Sequence, residues 1–146
     1  MKTITISLVF AIALSFSLSY SVAFAQEEEA HVYLIQTWKT VMPEDGTAAE
    51  RDSLVSEWVE GVLKKNGKVL SSMNLRHFFG LDSRDWIVIN EYETWADMVA
   101  AGEMFQELNK KKWPDEEKRA EFFRKFGKYF PRHSDQIYRE LPKFGK

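Results

Sequence analysis

Residues 31–40, His-Val-Tyr-Leu-Ile-Gln-Thr-Trp-Lys-Thr, form a largely apolar stretch rich in β-branched and aromatic side chains. That composition predicts a strand. Val32, Leu34, Gln36 and Trp38 share one face; Tyr33, Ile35 and Thr37 share the other. Both faces are largely apolar, so cover is expected on both sides. Met42-Pro43-Glu44-Asp45-Gly46 is turn chemistry. The period then lengthens. Leu54, Val55, Trp58, Val59, Val62 and Leu63 form one wide stripe of a helix over 49–65. Arg51, Asp52, Glu57, Glu60 and Lys64 take its wet side. Asn66-Gly67 closes it with residues that tolerate the left-handed conformation.

Residues 68–79 predict a second strand, 80–84 a polar turn and 85–93 a third strand carrying Trp86-Ile87-Val88-Ile89. The pair is a hairpin. Thr94, with Asp97 three residues on, caps a helix over 95–110. Its inner face is expected to hold Trp95, Met98, Val99, Gly102, Phe105 and Leu108. Lys110-Lys111-Lys112 suits a solvated helix end. Pro114 breaks that helix and Asp115 starts another, in which Phe122, Phe123, Phe126 and Phe130 recur at core spacing. Pro131 ends it, and 134–141 predicts a fourth strand. The order of elements is that of an α+β, ferredoxin-like domain: a four-stranded antiparallel sheet with helices on one face, and one extra helix before the last strand.

Residues 1–25 differ in kind. Lys2 is the only charge before Glu27, an apolar run follows it, and Ala23-Phe24-Ala25 precedes Gln26. A basic start, an apolar middle and an A-x-A end describe a signal peptide. The expectation is export to the periplasm or the medium, leaving 26–146 as a single domain with no membrane association. The alternative is a retained anchor, since the run is about long enough to span a bilayer. With no cysteine in the chain, lipid attachment of the bacterial lipoprotein type is excluded.

The 146 residues are 45% hydrophobic and 14% aromatic, a globular composition. A net charge of -2 offers no basic face for nucleic acid. The absence of cysteine removes disulfides, thiolate metal sites and a cysteine nucleophile. There is no G-x-S-x-G elbow and no glycine-rich phosphate loop.

The strand 32–40, the helix around Trp58, the hairpin and above all Ile89-Asn90-Glu91-Tyr92-Glu93-Thr94-Trp95-Ala96-Asp97-Met98, with Met104-Phe105 behind it, resemble the dimeric α/β-barrel superfamily. The likeness extends to antibiotic-biosynthesis monooxygenases, EthD-like proteins and NIPSNAP-like proteins, and it covers most of 31–141. It implies a homodimer in which two sheets pack face to face. An open apolar sheet face is a partner site on physical grounds as well.

Chemistry is sought in polar side chains inside strands, because such a group facing a cavity needs a partner or a ligand. Gln36, Asn74, Arg76 and Asn90 qualify. If residue 74 pairs with 90, then Asn74, Arg76, Trp86, Asn90 and Tyr92 share a face. That face is expected to line the interior between the two sheets, with Met73, Leu75, Ile87 and Ile89 under the helices. Gln36 and Trp38 complete the expected ligand-binding set, and Asn90 and His77 are the candidate catalytic residues. Of the three histidines, His77 is placed on the second strand, His133 in a turn and His31 at a frayed end. None has ligand spacing for a metal, so no metal is expected.

Cofactor-independent monooxygenases of the superfamily hold an aromatic substrate between Asn, Trp and Tyr side chains. The resemblance assigns those parts to Asn90, Asn74, Trp38 and Tyr92. Haem-degrading members carry an Asn on strand one and a Trp and a His on the second helix. Here Gln36 or Thr37, Val99 or Ala100, and Asn109 stand there, so haem degradation is not expected. Three readings stay open: a small-molecule binder or enzyme without a cofactor, a non-catalytic dimer, and a haem-binding protein using His77.

Overall fold

The computed structural model describes residues 30–145. The proposed signal peptide, 1–25, lies outside the described residues. The elements run β1 (Val32–Lys39), α1 (Ala48–Gly61), a 3-10 turn (Leu63–Lys65), β2 (Ser71–Arg76), β3 (Asp85–Tyr92), α2 (Trp95–Lys112), α3 (Glu116–Tyr129) and β4 (Arg132–Arg139), with a last 3-10 turn at Pro142–Phe144. The sheet is antiparallel, in the order β2-β3-β1-β4. This is the ferredoxin-like arrangement expected.

Three polar side chains start the three helices. Thr47, Thr94 and Asp115 each accept the backbone N–H three residues on, filling one orphan donor of the first turn. Tyr129, at the end of α3, is almost fully buried. Its hydroxyl donates to Glu50 and accepts from the Thr47 N–H, pinning α3 to the start of α1. Gly46 makes room for that ring: a Cβ there would stand 2.6 Å from the Tyr129 oxygen. Leu54, Phe122, Tyr129 and Phe130 form the buried core, with Trp38, Trp58, Trp86, Trp113 and Phe126 packed around it.

Several expectations are corrected. α1 stops at Gly61, and the left-handed closure at Asn66-Gly67 is not adopted; among the described residues only Gly80, in the hairpin tip, has a positive φ (138°). Asn66 instead buries its amide and donates to the Ala101 carbonyl at 3.0 Å, tying the end of α1 to α2. Trp95 and Val99 are exposed, because α2 turns Met98, Ala101, Gly102 and Phe105 inward. Arg51 is not on a wet side. It is buried, with its guanidinium 5.5 Å from the centre of the Trp86 ring. β4 begins at Arg132, so His133 belongs to a strand and not to a turn.

The parity of the sheet is the largest correction. Asn74 pairs with Val88, and Ser72 with Asn90, an offset of two from the expected register. Because side chains alternate with period two, this offset keeps Asn74, Arg76, Trp86, Asn90 and Tyr92 on one face. That face, however, lies under the helices. The face of Met73, Leu75, Ile87 and Ile89, joined by Tyr33, Ile35 and Tyr138, is the one without helices. None of those seven residues is buried.

Candidate functional site

The sheet and its helices do not close on one another. They enclose a pocket of about 420 Å³. Its floor is β1 and β3: Leu34, Gln36 and Trp38 from the first, Trp86, Val88, Asn90 and Tyr92 from the second, with Asn74 of β2 beside them. α1 contributes Val55, Trp58 and Val59; α2 contributes Met98, Gly102, Phe105 and Asn109; the α3 end contributes Phe123, Phe126 and Phe130. His133 of β4 completes the wall. Strand alternation puts every second residue of β1 and β3 into this space, and helical spacing brings down one residue per turn to meet them.

The aromatic walls are ordered against each other. Trp38 meets Phe126 and Phe130 edge-on at 6.1 and 6.0 Å, and Trp86 meets Phe130 at 5.7 Å with the planes at 90°. Trp58 and Phe105 close the other side at 5.6 Å. The edge-to-face pairs of Trp38 and Trp86 are favourable and fix ring positions, while the Trp58–Phe105 pair is tilted, with 31° between planes.

The polar groups of the pocket are paired in a consistent way. The Trp86 indole N–H donates to Asn74 Oδ1 at 3.0 Å, and the Trp58 indole N–H donates to Asn109 Oδ1 at 3.1 Å. Each amide thereby uses its oxygen and keeps its NH2 donors. Asn90 is buried; its Oδ1 accepts from the Ser72 hydroxyl at 2.6 Å, and its side chain also hydrogen-bonds Tyr92. Burial pushes the Tyr92 phenol up from its ordinary value, with the Asn90 bond opposing it. No buried side-chain polar atom among the described residues lacks a partner.

The sequence-derived site therefore divides. Gln36, Trp38, Asn74, Trp86, Asn90 and Tyr92 come together around one pocket. Arg76 shares their face but stands exposed on the edge strand and does not line the pocket. His77 lies past the end of β2, where its backbone N–H bonds the Asp85 carbonyl, and it too is outside the lining. A haem held through His77 would not sit in this pocket. Among the described residues no three His, Cys, Asp or Glu side chains gather as metal ligands.

Two site features were missed in the sequence. Asn109 was seen only as a departure from a family pattern. His133 was assigned to a turn, although His133-Ser134-Asp135 carries a signal: residues two apart on a strand share a face. The His133 Nδ1–H donates to Asp135 Oδ1 at 2.7 Å, and the ring stacks on Trp38 with centroids 4.0 Å apart.

No family model matches the sequence, and no curated protein matches it. Solved structures do. A NIPSNAP family protein with unknown function from Agrobacterium tumefaciens superposes with a TM-score of 0.57 at 13% identity, covering 79% of this chain and 92% of the other. A dimeric ferredoxin-like protein from an uncultured marine organism gives 0.53 at 10% identity, with 82% and 94% covered. An uncharacterized NIPSNAP domain protein from Burkholderia xenovorans gives 0.50 at 8% identity, with 79% and 99% covered. At these identities the likeness speaks for the fold. The chain has the ferredoxin-like α+β fold that it shares with dimeric ferredoxin-like and NIPSNAP proteins.

Proposed function

We propose that this chain binds a small, largely apolar or aromatic molecule in the pocket between its sheet and its helices, and that it does so as an exported homodimer joined through the open sheet face. The observation that carries the reading is the pocket itself. Its volume of about 420 Å³ falls in the range of small-molecule sites. Its walls are tryptophan and phenylalanine, and the amides of Asn74 and Asn109 are each held at the oxygen by an indole N–H, so their NH2 groups face no competing partner among the described residues. Aromatic walls with a few oriented donors recognise a planar molecule bearing an oxygen acceptor.

The dimer is supported by the composition of the open face and by the dimeric ferredoxin-like proteins that share the fold. Met73 and Leu75 are 55% and 42% exposed in the single chain, and Ile87, Ile89 and Ile35 lie half-buried beside them on the next two strands. A contiguous apolar surface of this kind is stabilised by a second copy presenting the same surface across a two-fold axis. If the bound molecule is converted, the reaction this reading favours is oxygenation without a cofactor, the substrate supplying the electrons. Export rests on residues 1–25 alone.

Tryptophan fluorescence titration of the mature chain with 2-naphthol tests the pocket, and native mass spectrometry tests the dimer. Saturable quenching that disappears in Val88→Trp, where an indole fills the pocket from its floor, is the expected result. Unsaturable quenching, equal in both proteins, overturns the binding reading. A monomer mass overturns the open-face assignment.

A further inference from the structure

We propose that His133 is the proton acceptor for a phenolic or enolic hydroxyl of the molecule bound in this pocket, with Asp135 and Gln36 as its positioning residues. The inference deepens the binding reading above and rests on it.

The antiparallel register sets Trp38 opposite His133 and Gln36 opposite Asp135. Four side chains on one face of two strands thus form a block. The imidazole is held along its edge by the carboxylate, through the Nδ1–H to Oδ1 bond of 2.7 Å. It is held across its face by the Trp38 indole, at 4.0 Å and 30° between planes. The Gln36 Nε2 donates to the same Asp135 oxygen at 3.1 Å, which fixes the carboxylate in turn. This is base, orienting carboxylate and second support, in that order.

The protonation logic follows from the donors. With Nδ1 carrying the hydrogen toward Asp135, the neutral ring has its lone pair on Nε2. When Nε2 takes a proton, the imidazolium is stabilised by the carboxylate already bonded to it. The rest of the pocket narrows the substrate. Its lining contains no Lys, Arg, Asp or Glu. The amides are neutral, and the Tyr92 phenol is pushed further from ionising by burial. His133 is therefore the one lining residue whose side chain offers a free nitrogen lone pair to a ligand proton. The matching ligand is uncharged and aromatic, with a weakly acidic hydroxyl. In the step itself the ligand O–H bond breaks, the proton goes to Nε2, and the electron pair stays on the ligand oxygen. The product is an oxyanion beside an imidazolium, and no oxidant or cofactor enters.

The probe is 4-nitrophenol, whose phenolate absorbs in the visible. Its binding to the mature protein is followed by tryptophan quenching and its ionisation by the phenolate band across pH. The expected result is that the bound phenol ionises at least about one pH unit below the free phenol. His133→Gln removes that shift. Asp135→Asn lowers the shift in part, and Asp135→Glu restores it, which a merely structural carboxylate would not do. His133 stands on the exposed edge strand, so both positions tolerate substitution. A bound phenol with an unshifted or raised ionisation, or a shift that survives in His133→Gln, overturns the role of His133 and leaves the pocket reading standing. No saturable binding of the phenol overturns both.

Discussion

The two faces of one sheet differ at their centres: the covered one carries amides there, the open one aliphatic side chains. Under the helices lie Gln36, Asn74, Trp86, Asn90 and Tyr92; facing away are Ile35, Met73, Leu75, Ile87 and Ile89. Burying amides costs free energy unless they are bonded, and here they are: Trp86 to Asn74, Trp58 to Asn109, Ser72 to Asn90. The covered face can therefore afford to be a site. The middle of the uncovered face is aliphatic and its polar groups stand around it: Glu91 accepts from Tyr33, Ser71 and His31 at one corner, Lys39 donates to Asp85 at another, and Gln136 accepts from Tyr138 on β4. In the reading proposed above, one face receives a molecule and the other meets a surface like itself.

Substitutions that act on one face and not the other break this comparison most directly. Phe130 is 4% exposed and touches Trp38, Trp86 and Phe126. Phe130→Ala is expected to lower stability by about 3–5 kcal/mol, read by urea denaturation, and to widen the pocket. A milder loss, near that of a surface change, would mean the helix layer is not the core. On the other face, Ile89→Asp sets a charge among Ile35 and Met73, its partners on the flanking strands. Sedimentation is expected to show a dimer weakened by about 100-fold or more, with the circular dichroism unchanged. An unfolded Ile89→Asp would show that this face is part of the monomer core after all.

Smaller effects sharpen the contrast. Asn90→Ala strands the Ser72 hydroxyl and removes a partner of Tyr92, for a loss of about 1–3 kcal/mol and weaker naphthol binding, with the dimer intact. Thr94→Ala removes the α2 cap and costs about 1 kcal/mol by thermal melting, with no effect on either face.

The smallest expected effect is one of pH, at the Glu91 corner of the open face. The hydrogen bond to Glu91 holds His31 above its ordinary 6.5, and the Ser71 and His31 bonds hold Glu91 below its ordinary 4.5. A raised histidine contributes fully below its unfolded value and loses that contribution as pH climbs through the folded one. A lowered carboxylate contributes fully above its unfolded value and loses it as pH falls. Both contributions are complete between 4.5 and 6.5. His31→Gln should flatten the alkaline side of the stability profile and leave the acid side sloping.

Much of this was legible along the chain. The caps Thr94 and Asp115, the apolar stripe of α1 and the β-branched and aromatic runs of β1 and β3 announce elements whose bounds hold to within a few residues, because caps, periodicity and propensity are local physics. Gln36, Asn74 and Asn90 were marked as polar residues in strands, and all three line the pocket. Arg76, marked by the same reasoning, and His77, marked as a histidine on the second strand, do not, because β2 is an edge strand that ends at Arg76. Arg51 was assigned to water, because nothing in its neighbourhood foretells a tryptophan ring arriving from β3.

By itself, then, the sequence determined the kinds of elements, their order, and which residues share a face, since each depends on neighbours a few positions apart. Tertiary structure decided which face the helices cover. Period-two alternation is symmetric between the two sides of a sheet, and only the packing of α1, α2 and α3 breaks that symmetry. It also decided that His133 and Asp135 of the last strand meet Trp38 and Gln36 of the first, a pairing across some hundred residues that no local pattern encodes.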